Sequence, residues 1–503
     1  MAKAVMTLTM FSVTERVLGF LFKIYLSREI GAVGMGIYSV ALSFFFVLLT
    51  LLTSGIPLIV SKLTAKDGAS SGGACSAALV LEAVIALVIS VPVLLLNKPI
   101  GALFAEKESM TLVLIMLPAL LFSGIYSAFR GVLWGEKKFA AVSIVELIEQ
   151  VARIVICVVL FLLIDDKLKA VALSMTGACA VSAAACALFF FCGKHRLRSP
   201  KTHLKPLIAS SVPITLSRTT SSINNYIVAI AVPFLLMSSG LNSEQSMYIF
   251  GSCVGMALPL LYLPITLVGS LAFVMIPTLS QSYANGDKKS TRSQIENALK
   301  FSVIVAALVL PVYTALGDNL GTFIYNNTDA GMFLKKSSWL LLPLAFENIA
   351  SSMLNSLDLE KKSLINYLIG AAVMYALSFA FYSRFTIDVY MYSFGISLIV
   401  SSVLDIIDIK RRTGIKLSFI KPAAICLAAS YPAWLFTEYV SSIIPGTLLP
   451  IFIAAAGGVC FMALAAVIFG AVDFDIAVKP KRNRARIKPR RIAKPKARKN
   501  ALH

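Results

Sequence analysis

Charged residues are scarce in this chain of 503 residues, 14% against 58% hydrophobic; a soluble domain has about 25% and 45–50%. So little charge cannot clothe a water-exposed surface, which excludes a soluble enzyme or a soluble nucleic-acid-binding domain. Histidine is almost missing. His195 and His203 share one basic loop and His503 is the last residue, so a membrane-embedded transferase working through an intramembrane histidine has none to use. The eight cysteines show no CxxC and no Cys/His metal spacing, and each reads as a small packing residue in or beside an apolar run. No metal, no cofactor and no enzymatic activity are expected. Strand-period alternation is absent, which removes an outer-membrane barrel. A cleavable leader is not expected either: only Lys3 precedes the first apolar run, and Glu15 and Arg16 interrupt it.

Long apolar runs are what the chain has instead. About 20 apolar residues in a helix cross about 30 Å of hydrocarbon, and a helix satisfies its own backbone there. Such runs recur at 6–26, 37–60, 74–96, 110–129, 139–163, 170–192, 207–237, 249–279, 299–318, 337–357, 364–383, 389–409, 420–440 and 448–472. This predicts an all-α polytopic membrane protein of fourteen transmembrane helices, with turns or kinks in the seventh and eighth near Pro213, Pro233, Pro259 and Pro264. With the N-terminus in the cytoplasm, thirty-four Lys/Arg fall inside and eight outside, so both termini are expected to be cytoplasmic. Residues 473–503 hold twelve Lys/Arg and three prolines. This tail predicts disorder and attraction to anionic membrane lipids, with an acidic partner protein as the alternative. No aromatic residue is interleaved there to stack bases, so no nucleic-acid partner is expected.

The chain repeats itself. Residues 122–138, FSGIYSAFRGVLWGEKK, match 346–362, FENIASSMLNSLDLEKK, at seven of seventeen positions with an offset of 224, and Ile56-Pro57 echoes Ile276-Pro277 at 220. Six helices separate equivalent points, so the two repeats are parallel and predict two lobes with a substrate path between them. The expected divisions are an N-terminal six-helix lobe, 1–205, a second lobe, 206–416, two additional helices, 417–472, and the basic tail, 473–503.

Ionisable residues inside spans are costly and mark function by default. Thr9, Ser12, Arg16, Gly19 and Lys23 fall on one face of the first span by their steps of three and four. Ser211, Thr215, Arg218, Ser222 and Asn225 do the same on the seventh. These are the first helices of the two repeats, so Arg16 and Arg218 are expected at a common central cavity, where a guanidinium fork suits phosphate oxygens; neutralisation by neighbouring glutamates is the alternative. Glu149 and Arg153 have the spacing of an ion pair. Glu15, Glu82 and Glu347 are candidates to carry a proton or a coupling cation.

Gly19-Phe-Leu-Phe-Lys-Ile-Tyr-Leu-Ser-Arg-Glu-Ile-Gly-Ala, Gly36-Ile-Tyr38, Ser54-Gly-Ile-Pro57, Ser61-Lys62, Phe129-Arg-Gly131, Gly135, Glu149-Gln150 and Arg153 together resemble the flippases of the multidrug/oligosaccharidyl-lipid/polysaccharide exporter superfamily. They resemble above all the branch of the stage V sporulation and lipid II flippases. The resemblance covers essentially all fourteen spans. It implies a V-shaped pair of six-helix lobes in the cytoplasmic membrane, moving an undecaprenyl-diphosphate-linked glycan by alternating access, with cell-wall synthesis proteins as candidate partners. It gives Arg16 the role of the first-helix cavity arginine and Arg28 that of a second basic position. Phe22, Leu51-Leu52-Thr53 and Pro259 stand where the lipid II flippases carry further basic residues, so the anion cluster is thinner here. A cation-coupled multidrug exporter of the same fold and a non-transporting envelope scaffold remain the rival readings.

Overall fold

The computed structural model describes residues 2–66, 71–193, 195–414, 420–443 and 449–468. The basic tail lies outside the described residues, as does the side chain of Ser12. In chain order the helices are α1 (Ala2–Thr53), α2 (Ile56–Lys66), α3 (Ser71–Leu95), α4 (Asn97–Gly101), α5 (Glu108–Gly135), α6 (Phe139–Leu163), α7 (Lys167–Cys192), α8 (Lys201–Ser238), α9 (Ser243–Phe250), α10 (Leu258–Tyr262), α11 (Ile265–Ala284), α12 (Lys288–Tyr325), α13 (Thr328–Ser337), α14 (Leu341–Ser356), α15 (Glu360–Ala380), α16 (Ile387–Thr413), α17 (Ile420–Ile443) and α18 (Leu449–Ile468). A π-helical turn, Gly251–Ala257, joins α9 to α10. Among the described residues there is no strand.

Each of the fourteen apolar runs falls on one of these helices or on a short series of them. Nine described segments are long and apolar enough to span a membrane by themselves. The faces they turn outward are hydrocarbon: Leu95 is 78% exposed and Leu162 82%, a surface stable against lipid and untenable in water. The chain is a polytopic all-α membrane protein.

The first two spans run on as one rod bent at Gly31, whose φ of 66° and ψ of −175° belong to a region open essentially to glycine alone. The seventh span stays a single helix, α8, despite Pro206, Pro213 and Pro233. The eighth is broken into α9, the π turn, α10 and α11, with Pro259 at the start of α10 and Pro264 capping α11. Helix α12 has 38 residues and so measures about 57 Å. It overshoots the hydrocarbon, which lets Lys288, Lys289, Arg292 and Glu296 at its start reach water.

The two repeats are built with the same punctuation. Asp166 caps α7 by accepting from the Lys169 amide, and Thr386 caps α16 by accepting from the Val389 amide. Helix α5 ends with the Lys138 amide bonded back to the Leu133 carbonyl and Lys137 left-handed. Helix α14 ends with the Leu359 amide on the Leu354 carbonyl and Asp358 left-handed. These equivalences lie 220–221 positions apart, the spacing of the Ile-Pro echo and not that of the Glu-Lys-Lys run. Glu136-Lys137-Lys138 therefore closes a helix, whereas Glu360-Lys361-Lys362 opens one. Identity of residues there does not mean identity of place.

The repeats meet most intimately at the end of the bundle away from the N-terminus, here the far end. A Cβ on Gly251 would collide with the Ala32 carbonyl, and one on Gly36 with the Met247 carbonyl, so α1 beyond its bend and the π turn pack backbone to backbone. Arg28 donates Nε to the Ile324 carbonyl at 2.9 Å and Nη2 to the Phe323 carbonyl, satisfying acceptors that the end of α12 leaves open. Ser243 donates to Glu106 at 2.7 Å. The largest buried apolar cluster unites both repeats there, through Leu26, Met35, Phe45, Phe250, Leu316 and Phe333. At the near end a second cluster, with Ile56, Val60, Phe129, Val132 and Phe190, draws on the first repeat and only Leu207 and its neighbours on α8.

Two glycine substitutions separate backbone strain from contact. Gly31→Ala meets nothing within 4 Å, yet it is expected to cost about 1–3 kcal/mol through its dihedral angles. Gly251→Ala should destabilise through collision with α1. Thermal unfolding of the purified chain should report both losses, and proximity labelling between 32 and 251 should change only in the second.

Candidate functional site

Arg16 sits on the first arm of α1, exposed, between exposed Val13, Val17 and Leu21. Arg218 is exposed on α8. No side-chain hydrogen bond or ion pair joins either arginine to another described residue. Two residues of the polar stripe on α8 seat against α1. Thr215 lies against Gly55, where α1 gives way to α2, and Ser222 shares a hydrogen bond with Thr50 at 2.9 Å. Arg218 stands between those two seats on the same face, and Asn225 continues it, exposed. Asn224 is engaged instead, accepting from the Tyr375 hydroxyl at 2.7 Å. Lys23 is partly exposed on α1. Arg28 serves the far-end tie to α12 in this conformation.

Beside α1 the first repeat carries a polar network. Gly19 faces Gln150 of α6, whose amide nitrogen is 3.7 Å from where a Cβ would lie. One turn along α6, Arg153 donates to Glu149 at 2.6 Å, the pair that the i, i+4 spacing anticipates. Tyr126 donates to Glu146 at 3.2 Å, and Arg130 lies 3.8 Å from the same carboxylate. The Arg130 guanidinium also covers the rings of Tyr126 at 5.0 Å and Trp134 at 4.6 Å, which shelters a cation in apolar surroundings. Glu15 lies near Glu146, Glu149, Arg16 and Arg153. Glu82, on α3, is 1% exposed and neither of its oxygens has a partner.

In the second repeat Glu347 is partly exposed and neighbours Asp405, Tyr262 and Tyr367. Asn366 donates to Asp405 at 2.8 Å and to Asp408 at 3.2 Å, and Lys362 pairs with Asp408 at 2.8 Å. Arg130, Tyr126 and Asn366 were not singled out in the sequence as site residues. For Arg130 a signal existed, an arginine with aromatics four residues to either side. Among the described residues no group of His, Cys, Asp and Glu has the arrangement of a metal site. The arrangement is two exposed guanidiniums, on α1 and α8, beside a network of paired carboxylates, arginines and a tyrosine.

Residues 1–283 match a family described as polysaccharide biosynthesis protein. The chain belongs to this family. It is similar to the stage V sporulation protein B of Bacillus subtilis (strain 168), 24% identical over 404 residues, 76% of this chain and 78% of that protein. Among solved structures it is similar to the lipid II flippase MurJ in an inward closed conformation, with TM-score 0.75 and 16% identity over 92% of this chain and 98% of that one. It is also similar to an inward-facing multidrug resistance MATE family transporter of the MOP superfamily, with TM-score 0.66 and 15% identity over 83% and 96%. At such identities the structural likeness speaks for the fold alone, that of a polytopic membrane protein.

The Glu149–Arg153 pair has side chains only 21% exposed, so leaving one charge alone should cost more than removing both. Arg153→Met is expected to destabilise the protein by about 1–3 kcal/mol, and Glu149→Gln with Arg153→Met to recover part of that loss. A double-mutant cycle on thermal unfolding measures the coupling.

Proposed function

We propose that the chain is a lipid-linked oligosaccharide flippase, moving an undecaprenyl-diphosphate-linked sugar across the cytoplasmic membrane by alternating access. The observation that carries this reading is the exposure of Arg16 and Arg218, one in the first span of each repeat, with no hydrogen bond or ion pair joining either to another described residue. An uncompensated guanidinium within a membrane span demands water or an anion, and its planar fork matches the oxygens of a diphosphate. Lys23 assists, and Thr215, Ser222 and Asn225 line the path with hydroxyl and amide groups for the sugar. The polyprenyl tail stays in or beside the bilayer. Membership in a polysaccharide biosynthesis family and the likeness to a protein described as a lipid II flippase support a substrate of this class.

The excess of Lys/Arg in alternate loops puts both termini in the cytoplasm, which makes the far end external. That end is then the closed gate in this conformation, and the lobes 1–205 and 206–416 open it by rocking. Opening separates Arg28 from the carbonyls of α12 and frees it to receive the diphosphate on the outer side. Glu149–Arg153 stays a structural pair, and Glu347 is the candidate for a coupling ion. The tail beyond 473 attracts anionic lipid.

The test is rescue of a strain depleted of its lipid II flippase, scored by external accessibility of lipid II. Wild type should restore accessibility, and Arg16→Ala with Arg218→Ala should abolish it while membrane insertion is unchanged. Normal flipping by that double variant would sink the assignment. Deleting residues 479–503 should leave most of the activity, whereas a scaffold recruiting partners through the tail would fail.

A further inference from the structure

Glu82 lies near the middle of α3, and helix α5 presses on it so closely that a Cβ on Gly124 would be 3.1 Å from the Glu82 Cβ. It is 1% exposed, and no donor makes a hydrogen bond of good geometry to either carboxyl oxygen, the Ser127 hydroxyl and the Ala128 amide being the donors nearby. Its polar neighbours, Ser127 and Arg130, stand on the next turns of α5. They too have unmet capacity: the Ser127 hydroxyl and the Arg130 Nε are buried without partners. Arg130 meanwhile turns its Nη1 toward Glu146 on α6, at 3.8 Å, and lies over Tyr126 and Trp134. One cation thus stands among two carboxyl groups on two helices, and here only Glu146 has it within ion-pair distance. A carboxylate with no ion-pair partner and no well-formed hydrogen bond is costly in such a place, whereas a neutral acid is not.

We propose that Glu82 is a proton-binding site, neutral in this conformation and ionised when Arg130 swings across from Glu146. The exchange balances. Glu82 loses its proton and gains the guanidinium, Glu146 loses the guanidinium and gains the proton, and the net charge of the repeat does not change. Glu146, with a side chain 32% exposed, then trades the proton with water. The path runs from a sealed carboxyl to an accessible one along two helices of one repeat, which is the geometry required to couple proton movement to a rearrangement of α3, α5 and α6.

The other groups facing Glu82 do not change this. Cys75, on its own helix, and Cys186, on α7, are buried thiols. Helix α2 brings only Lys62 and Lys66, and α8 brings Lys201, His203 and Lys205, toward the start of α3, where His203 abuts Gly73. Gly73 is nine residues, about 13 Å, from Glu82. Arg218 is farther along α8 and exposed. Lys98 of α4 stands beyond the opposite end of α3, and the arm of α1 that touches this region, residues 32–53, carries no charge.

Infrared difference spectroscopy of the full chain in lipid nanodiscs, titrated through pH without substrate, tests this. Wild type should show the carbonyl stretch of a protonated carboxyl at neutral pH, and Glu82→Gln should lose it. Arg130→Gln removes the cation that stabilises the ionised form, so the band should persist to at least tenfold lower proton concentration than in wild type. A spectrum that Glu82→Gln leaves unchanged overturns the proposal. Should that variant not fold, an Arg130→Gln titration identical to wild type overturns it equally. Because no lipid-linked sugar is present, failure of the flippase reading leaves this measurement readable, and failure here leaves that reading standing.

Discussion

The two repeats touch backbone to backbone where glycine allows it, Gly36 against Met247 and Gly251 against Ala32 at the far end and Gly55 against the Ser211 carbonyl at the near end. Without side chains to hold them apart, α1 and the π turn after α9 reach a separation at which van der Waals contact is made along several turns, the interaction that drives helix association where the hydrophobic effect is absent. Arg28 adds directional hydrogen bonds to the last carbonyls of α12. These contacts gather the apolar residues of both repeats into one buried cluster at the far end. At the near end α8 seats on the close of α1 at Thr50 and Gly55, and Arg16 and Arg218 are nonetheless exposed.

The bilayer imposes a second discipline, and the chain answers it charge by charge. Arg153 takes Glu149 from its own helix. Arg130 takes two aromatic faces and a distant carboxylate. Asp405 takes the amide of Asn366. Charges at the start of α12 escape by helix length. Against that background three residues stand out because no described residue meets them in a direct hydrogen bond or ion pair: Arg16, Arg218 and Glu82. The first two are exposed, as anion ligands must be. Glu82 is sealed, which suits a group that holds a proton in one conformation and gives it up in another.

The positions of the spans were legible in the sequence because each depends on a local quantity, the hydrophobicity of about 20 consecutive residues. The Glu149–Arg153 pair was legible for the same reason, since four residues on a helix fix the geometry. The parallel repeat was visible, but its register was not. The Glu-Lys-Lys run suggested 224, whereas capping bonds and left-handed residues put the equivalence at 220–221. Charged loops on one side of a membrane share composition, and composition does not distinguish the end of one helix from the start of the next.

What the sequence determined alone was therefore the class of molecule, its helices, its expected sidedness and a short set of costly residues. Only the tertiary structure decided what each of those residues does. Arg28 reaches carbonyls nearly 300 positions away, Thr215 and Ser222 seat on α1 while Arg218 between them stays exposed, and Glu82 is left without a partner. These outcomes depend on which helix faces which and how closely. In a membrane that is settled by small residues and unmet hydrogen bonds at crossings between distant segments, and no local pattern of hydrophobicity encodes it.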